Sequence, residues 1–292
     1  MPKDADKLKE KISVKLPPGK PHNRSIHDLF NGSIDKDLKY IHEYAALCDL
    51  VYENEVPEII NGWQPAKVKF RTKSELKVQA WYKFSGSKVF VAIVFRGTRF
   101  THWRDWWHGN LSIISHYISE SNSYYLQVIR GINAFLEALK KEIENTLIQE
   151  KIRENDTNLP TLVFATTGHS LGGGLAQACS YAHPEISLTY AINSSWITFY
   201  TTFLKSEWEK NCNYLKVFRL SELGEVLQYF RFFVTQSYRF STRQNENPKY
   251  VVIRVNFLKS WFKTITSHSS SLISSGLKRA HDDYKKMKVN NP

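Results

Sequence analysis

Apolar and polar positions along the chain divide it into strands and helices in turn. Asp37 to Tyr52 carries Tyr40, Ile41, Tyr44, Ala45, Leu47, Cys48 and Val51 at helical spacing, which predicts a helix. Lys67 to Arg71 and Leu76 to Phe84 alternate with period two, as half-covered strands do. Gly86-Ser87 makes a turn, and Val89 to Phe95 is apolar throughout, the pattern of a strand covered on both faces. Beyond Ser119 to Ser123, a stripe of Ile129, Ile132, Phe135, Leu136, Leu139, Ile143 and Leu147 predicts a long amphipathic helix facing a core. Asn155 to Pro160 reads as a loop. A strand from Thr161 then runs into a helix that His183-Pro184 stops. Strands follow at Ile186 to Ile192, Leu215 to Leu220 and Tyr250 to Phe257, with helices over Tyr200 to Lys210 and Ser267 to Lys286. Strands alternating with helices predict an α/β fold with a mostly parallel central sheet flanked by helices. The chain shows no internal repeat. Residues 25–292 read as one domain, and residues 1–24, lysine-rich with Pro17-Pro18-Gly19, as a basic mobile arm.

The strand and helix around residue 170 enclose the most informative stretch. Gly168-His169-Ser170-Leu171-Gly172 fits G-x-S-x-G between an apolar run and a small-residue helix. A serine at a sharp strand-to-helix turn projects its Oγ out of the sheet, as in the nucleophile elbow of α/β-hydrolases. The turn is crowded, so the positions two before and two after must be almost free of side chain. The helix that follows aims its first N–H groups at an oxyanion formed there.

A nucleophilic serine needs a base, and the base an orienting acid. In the elbow hydrolases the order along the chain is Ser, acid, His. Beyond His183, which closely follows the elbow, only His268 and His281 remain. His268 lies in a small polar loop past a strand. His281 lies in a charged helical tail expected to face solvent, so His268 is the preferred base. No aspartate occurs between Asp156 and Asp282, so an acid in that order must be a glutamate: Glu185, Glu207, Glu209, Glu222, Glu225 or Glu246. Glu222 and Glu225 follow a strand end, the place where such sites form. Glu225 is preferred because Gly224 gives a tight turn before it, with Glu222 the second choice.

Composition narrows the partners rather than the chemistry. The 292 residues carry a formal net charge of +12, which directs attention to an anionic partner: membrane, acidic ligand or nucleic acid. No nucleic-acid motif accompanies it. Cys48, Cys179 and Cys212 show no paired metal spacing and read as free thiols; no metal or cofactor is expected. The N-terminal segment has no apolar run of a secretory signal, and no stretch approaches the roughly 18 apolar residues of a membrane span. The expectation is a cytoplasmic location by default, or export by a non-classical route.

Three segments resemble the class 3 (fungal-type) lipase family of the α/β-hydrolases. Val91 to Thr98, followed by Asp105-Trp106 and Asn110-Leu111, is similar to its "FRGT…DW…NL" block. Gly168 to Gly173 matches its "GHSLGG" elbow, and Leu215 to Leu227 is similar to the strand and loop that hold its acid. The resemblance implies Ser170 as nucleophile, with Thr98 and the N–H of Leu171 as the oxyanion hole and an aromatic lid-like segment after Thr98. Trp103, Trp106 and Trp107 fall in that segment and are candidate lipid-facing residues. The chain departs from the family where Gly224-Glu225-Val226 replaces its aspartate motif, and where Ala191 to Trp196 replaces "FGxPRxG".

The expected activity is therefore lipid ester hydrolysis through an acyl-enzyme. The aromatic and basic segments Phe100 to Trp107 and Tyr229 to Arg243 favour a phospholipid at an anionic membrane, and so an A1-type phospholipase, over neutral triglyceride. A membrane-attacking effector fits the same features. The competing readings are a non-catalytic binder of anionic surfaces or nucleic acid, and an acyltransferase or thioesterase with the same triad. Oligomeric state is not legible.

Overall fold

The computed structural model describes residues 11–16, 20–53, 55, 57–72, 75–97, 111–149, 160–195, 210–223, 249–258 and 269–290, with side chains from residue 123 onward in the 111–149 segment. Nine strands form one sheet: β1 (Lys11–Lys15), β2 (His22–Ser25), β3 (Gln64–Pro65), β4 (Val78–Ser85), β5 (Lys88–Phe95), β6 (Thr161–His169), β7 (Ile186–Ile192), β8 (Lys216–Glu222) and β9 (Lys249–Val255). Among the described residues four α-helices accompany it: α1 (Ile41–Leu50), α2 (Leu111–Gln149), α3 (Leu171–Ala182) and α4 (Ser270–Asn290). The order across the sheet is β2-β1-β9-β8-β7-β6-β5-β4-β3. Strands β5 to β9 run parallel, and β1, β2, β3 and β4 are antiparallel to their neighbours at the two margins.

The continuous apolar run of β5 has the expected cause. Val89, Val91, Ile93 and Phe95 pack on one face with α2 and α3, while Ala92 and Val94 pack on the other with α1 and α4. On α2 the buried stripe is Tyr125, Val128, Ile132, Phe135, Leu136, Leu139, Ile143 and Leu147. Val128 takes the place expected for Ile129, because 125, 128 and 132 continue the same helical face.

Two expectations are corrected. Inside the segment read as a mobile arm, Lys11–Lys15 pairs with β9, Val14 opposite Ile253, and His22–Ser25 pairs with β1. Ile12 and Val14 alternate with polar neighbours and are buried, so two apolar side chains suffice to seat this strand between β2 and β9. Lys67 to Arg71 is not a strand. The N–H groups of Lys67 and Val68 donate to the Glu142 carboxylate on α2, both at 2.8 Å, which satisfies them without a ladder. Phe70 packs edge-on against Phe135.

Helix α4 lies against α1, and His281 is not a solvent-facing tail residue. Its ring stacks on His42 at 3.6 Å and sits 5.1 Å from Phe30. Burial and then the neighbouring His281 push the His42 pKa down to about 4. Burial and then the Lys285 ammonium lower that of His281, with Asp282 and Glu43 opposing. An unfolded histidine titrates near 6.5, so between these values the unfolded chain takes up protons that the folded one resists. This contribution to stability is full above about pH 6.5 and declines as pH falls toward 4. Denaturant unfolding at pH 7.5 and pH 5 should show a loss on the order of 1–2 kcal/mol, and His42→Phe should lose less over the same interval.

Candidate active site

The elbow is built where β6 ends. Ser170 has φ 58° and ψ −126° and precedes the first residue of α3. This left-handed backbone is costly for a residue with a Cβ. Main-chain bonds hold it there. The Ser170 N–H donates to the Ile192 carbonyl at 3.1 Å, and the Ser170 carbonyl accepts from Ser195 at 2.9 Å and Gly173 at 3.0 Å. A Cβ at Gly168 would collide with the Gly172 backbone, and one at Gly172 with the Phe95 carbonyl. The glycines two before and two after the serine are thus required by packing, as the motif predicts. Ser170 is buried, and among the described residues its Oγ has no hydrogen-bond partner. Leu171 opens α3, where N–H groups lack an intrahelical acceptor.

The end of β5 lies beside the elbow. Gly97 packs so closely that a Cβ on it would approach the Ser170 Cβ to 3.2 Å. Its N–H donates to the Tyr52 hydroxyl at 3.0 Å, and that hydroxyl lies 3.4 Å from His169 Nδ1. Tyr52 therefore joins the end of the α1 segment, the end of β5 and the residue before the serine. Sequence reading missed this residue, since nothing but its place at a helix end marks it. Thr98 lies outside the described residues, as do Trp103, Trp106, Trp107 and the segment Tyr229 to Arg243.

Glu222 ends β8, two strands from β6 at the same carboxyl edge of the sheet. It is fully buried. Its Oε1 accepts the Leu258 N–H at 3.0 Å, and its own N–H donates to Asn193 Oδ1 at 2.9 Å. Glu225 and His268 lie outside the described residues. The chain just past His268 is anchored, for Ser270 at the start of α4 donates to Asp49 on α1 at 2.9 Å. A bonded network also backs the elbow helix. Arg219 Nε donates to Gln177 Oε1 at 2.9 Å, and Gln177 Nε2 donates to Ser194 Oγ at 2.9 Å.

The three cysteines are free and buried. Burial pushes the Cys48 and Cys212 thiols up to about 12, which leaves them unreactive near neutrality. Among the described residues no cluster of His, Cys, Asp and Glu could hold a metal ion, and no described helix is long and apolar enough to cross a membrane.

A parallel sheet with its serine on a strained strand-to-helix turn defines an α/β-hydrolase. Residues 92–203 match the family model described as lipase (class 3). The class 3 lipase resemblance is thereby borne out over this segment. A comparison with the curated proteins finds no match. Among solved structures, the chain is matched to acetyl xylan esterase 1 from Thermoanaerobacterium sp. JW/SL YS485, at 11% identity and a TM-score of 0.20, covering 65% of this chain and 80% of that one.

Tyr52→Phe should leave the buried Gly97 N–H without its acceptor. The expected loss is about 1–3 kcal/mol, read in urea as a lower midpoint with an unchanged slope.

Proposed function

We propose that the protein hydrolyses lipid carboxylic esters through Ser170, His268 and a glutamate, with Thr98 and the Leu171 N–H holding the oxyanion. The observation that carries this reading is the Ser170 turn: a strained, clamped serine at the head of a helix, beside the end of the β5 strand. The close packing of Gly97 on Ser170 supports an oxyanion donor at the next residue, Thr98.

For the acid, the order of preference from sequence is reversed, and Glu222 is proposed ahead of Glu225. Glu222 is buried at a strand end, and one of its carboxylate oxygens accepts a main-chain N–H. A hydrogen bond of that kind favours the charged form that an orienting acid must keep.

The mechanism follows from these roles. His268 takes the Ser170 proton as Oγ attacks the ester carbonyl, and the negative oxygen rests on Thr98 and Leu171. His268 then protonates the leaving alcohol. Water, activated by the same imidazole, attacks the acyl-enzyme and releases the fatty acid. Glu222 holds the imidazole in the tautomer that accepts at one nitrogen and steadies its charged form.

The favoured substrate is a phospholipid at an anionic surface, supported by the +12 charge, and the A1 position is the favoured site of cleavage. The membrane-attacking effector role belongs to this reading. Wild type should release fatty acid from anionic phospholipid vesicles, and Ser170→Ala should release none; position-labelled lipid reads which chain leaves. Ser170-dependent cleavage of short soluble esters with inert vesicles would keep the hydrolase and reject the membrane substrate. Glu222→Gln should lower kcat by about 10³–10⁴, with Glu225→Gln within about fivefold of wild type; the reverse order would restore Glu225.

A further inference from the structure

The residue after β7 stands in a conformation that its side chain makes costly. Asn193 has φ 41° and is fully buried. Asparagine tolerates this left-handed region better than most residues, but glycine occupies it at no steric cost. The carboxamide therefore has to supply something that glycine cannot.

Asn193 makes one bond with its backbone and one with its carboxamide. The Asn193 N–H donates to the Leu220 carbonyl at 2.8 Å. Its side-chain Oδ1 accepts the Glu222 N–H at 2.9 Å. The β7–β8 ladder ends with Ile192 opposite Leu220. The backbone of Asn193 closes that ladder at Leu220, and its side chain extends the grip to Glu222, two residues further along β8. On the other side the β9 strand completes the grip, since Glu222 pairs with Val255 and the Leu223 N–H donates to the Val255 carbonyl at 2.7 Å.

We propose that Asn193 is a positioning residue for the Glu222 carboxylate, an inference that rests on Glu222 being the acid of the triad. On its β7 side the end of β8 has run past its last ladder bond, and there the Asn193 side chain is what holds the backbone that carries the carboxylate. The Asn193 carboxamide pins the Glu222 nitrogen. That fixes the point from which the side chain leaves, while the Leu258 N–H fixes where one carboxylate oxygen arrives. Small displacements of an orienting group are expensive in rate, about 10²-fold for 1 Å. Asn193 itself acts through Glu222 and not on the ester.

Asn193→Gly separates this role from a structural one, because glycine accepts φ 41° and loses only the carboxamide. On a short soluble ester its kcat should fall about 10–100-fold, with KM within about twofold. The acid limb of kcat/KM should move to lower pH, because the base loses its aligned anionic partner. The melting temperature should fall modestly, because the buried Glu222 N–H loses its acceptor, so the kinetics are read well below it. Asn193→Asp keeps an acceptor oxygen and tolerates the same backbone, so it should recover most of the lost kcat. A wild-type kcat and pH profile in Asn193→Gly, or equal losses in the Gly and Asp variants, would overturn the proposal. Glu222→Gln run in parallel tells the two ideas apart. If it turns over like wild type, the acid assignment has failed. If it is crippled while Asn193→Gly is unaffected, only the positioning role has failed.

Discussion

The backbone of Ser170 is held where a side-chain-bearing residue is strained, and most of the described structure is arranged so that it can stay there. A left-handed serine costs on the order of 1–3 kcal/mol. It persists because β7 supplies the carbonyl of Ile192 to its N–H, and because the loop after β7 supplies the Ser195 N–H to its carbonyl. The turn also needs Phe95 of β5 to pass so close to Gly172 that no Cβ fits between them. Three adjacent parallel strands and one helix therefore have to be in register before the serine can take its position. The strain and the parallel sheet are one requirement seen from two sides.

Burial on both faces is what makes that register firm. The residues of β5 alternate between two cores, one under α2 and α3 and one under α1 and α4. A slip of one residue would exchange every one of them. Buried hydroxyls add direction to this apolar packing. Thr166, Ser180 and Thr189 form a closed set of bonds at 2.7–3.0 Å between β6, α3 and β7. Thr167 donates to the Tyr190 carbonyl and meets Cys48 Sγ on α1 at 2.9 Å. Such groups are costly to leave unmet in a dry interior, so they favour one docking of the elbow helix over its neighbours.

Part of the chain's positive charge is used within the fold. Lys216 and Lys249, at the start of β8 and β9, hold Asp35, and Lys216 also holds Asp37 at 2.7 Å. Burial works to raise the Asp35 pKa, but the Asp37 N–H and the Lys216 ammonium outweigh it and keep the carboxyl below its ordinary value. These pairs fasten the segment before α1 to the far edge of the sheet from the site. Lys278, Arg279, Lys285, Lys286 and Lys288 lie instead along α4, interspersed with Asp282 and Asp283.

The sequence by itself determined the alternation of strands and helices, the doubly buried β5, the elbow serine with its glycines, and the family resemblance, which the family model matches over residues 92–203. Each of these is a local pattern, fixed by side-chain period or by steric demand within a few residues. Tertiary structure decided the rest. Lys11–Lys15 became a strand because β9 offered it an edge, and Lys67 to Arg71 failed to become one because Glu142 on α2 took two of its N–H groups. His281 was drawn out of solvent by His42, a residue far away in sequence. The acid was ranked from a glycine beside Glu225, whereas the burial of Glu222 and its bonds to Asn193 and Leu258 arise from three separate chain segments meeting at the carboxyl edge of the sheet. Short patterns report the conformation that a segment favours; which partner it meets depends on contacts between distant residues, and no local period encodes those.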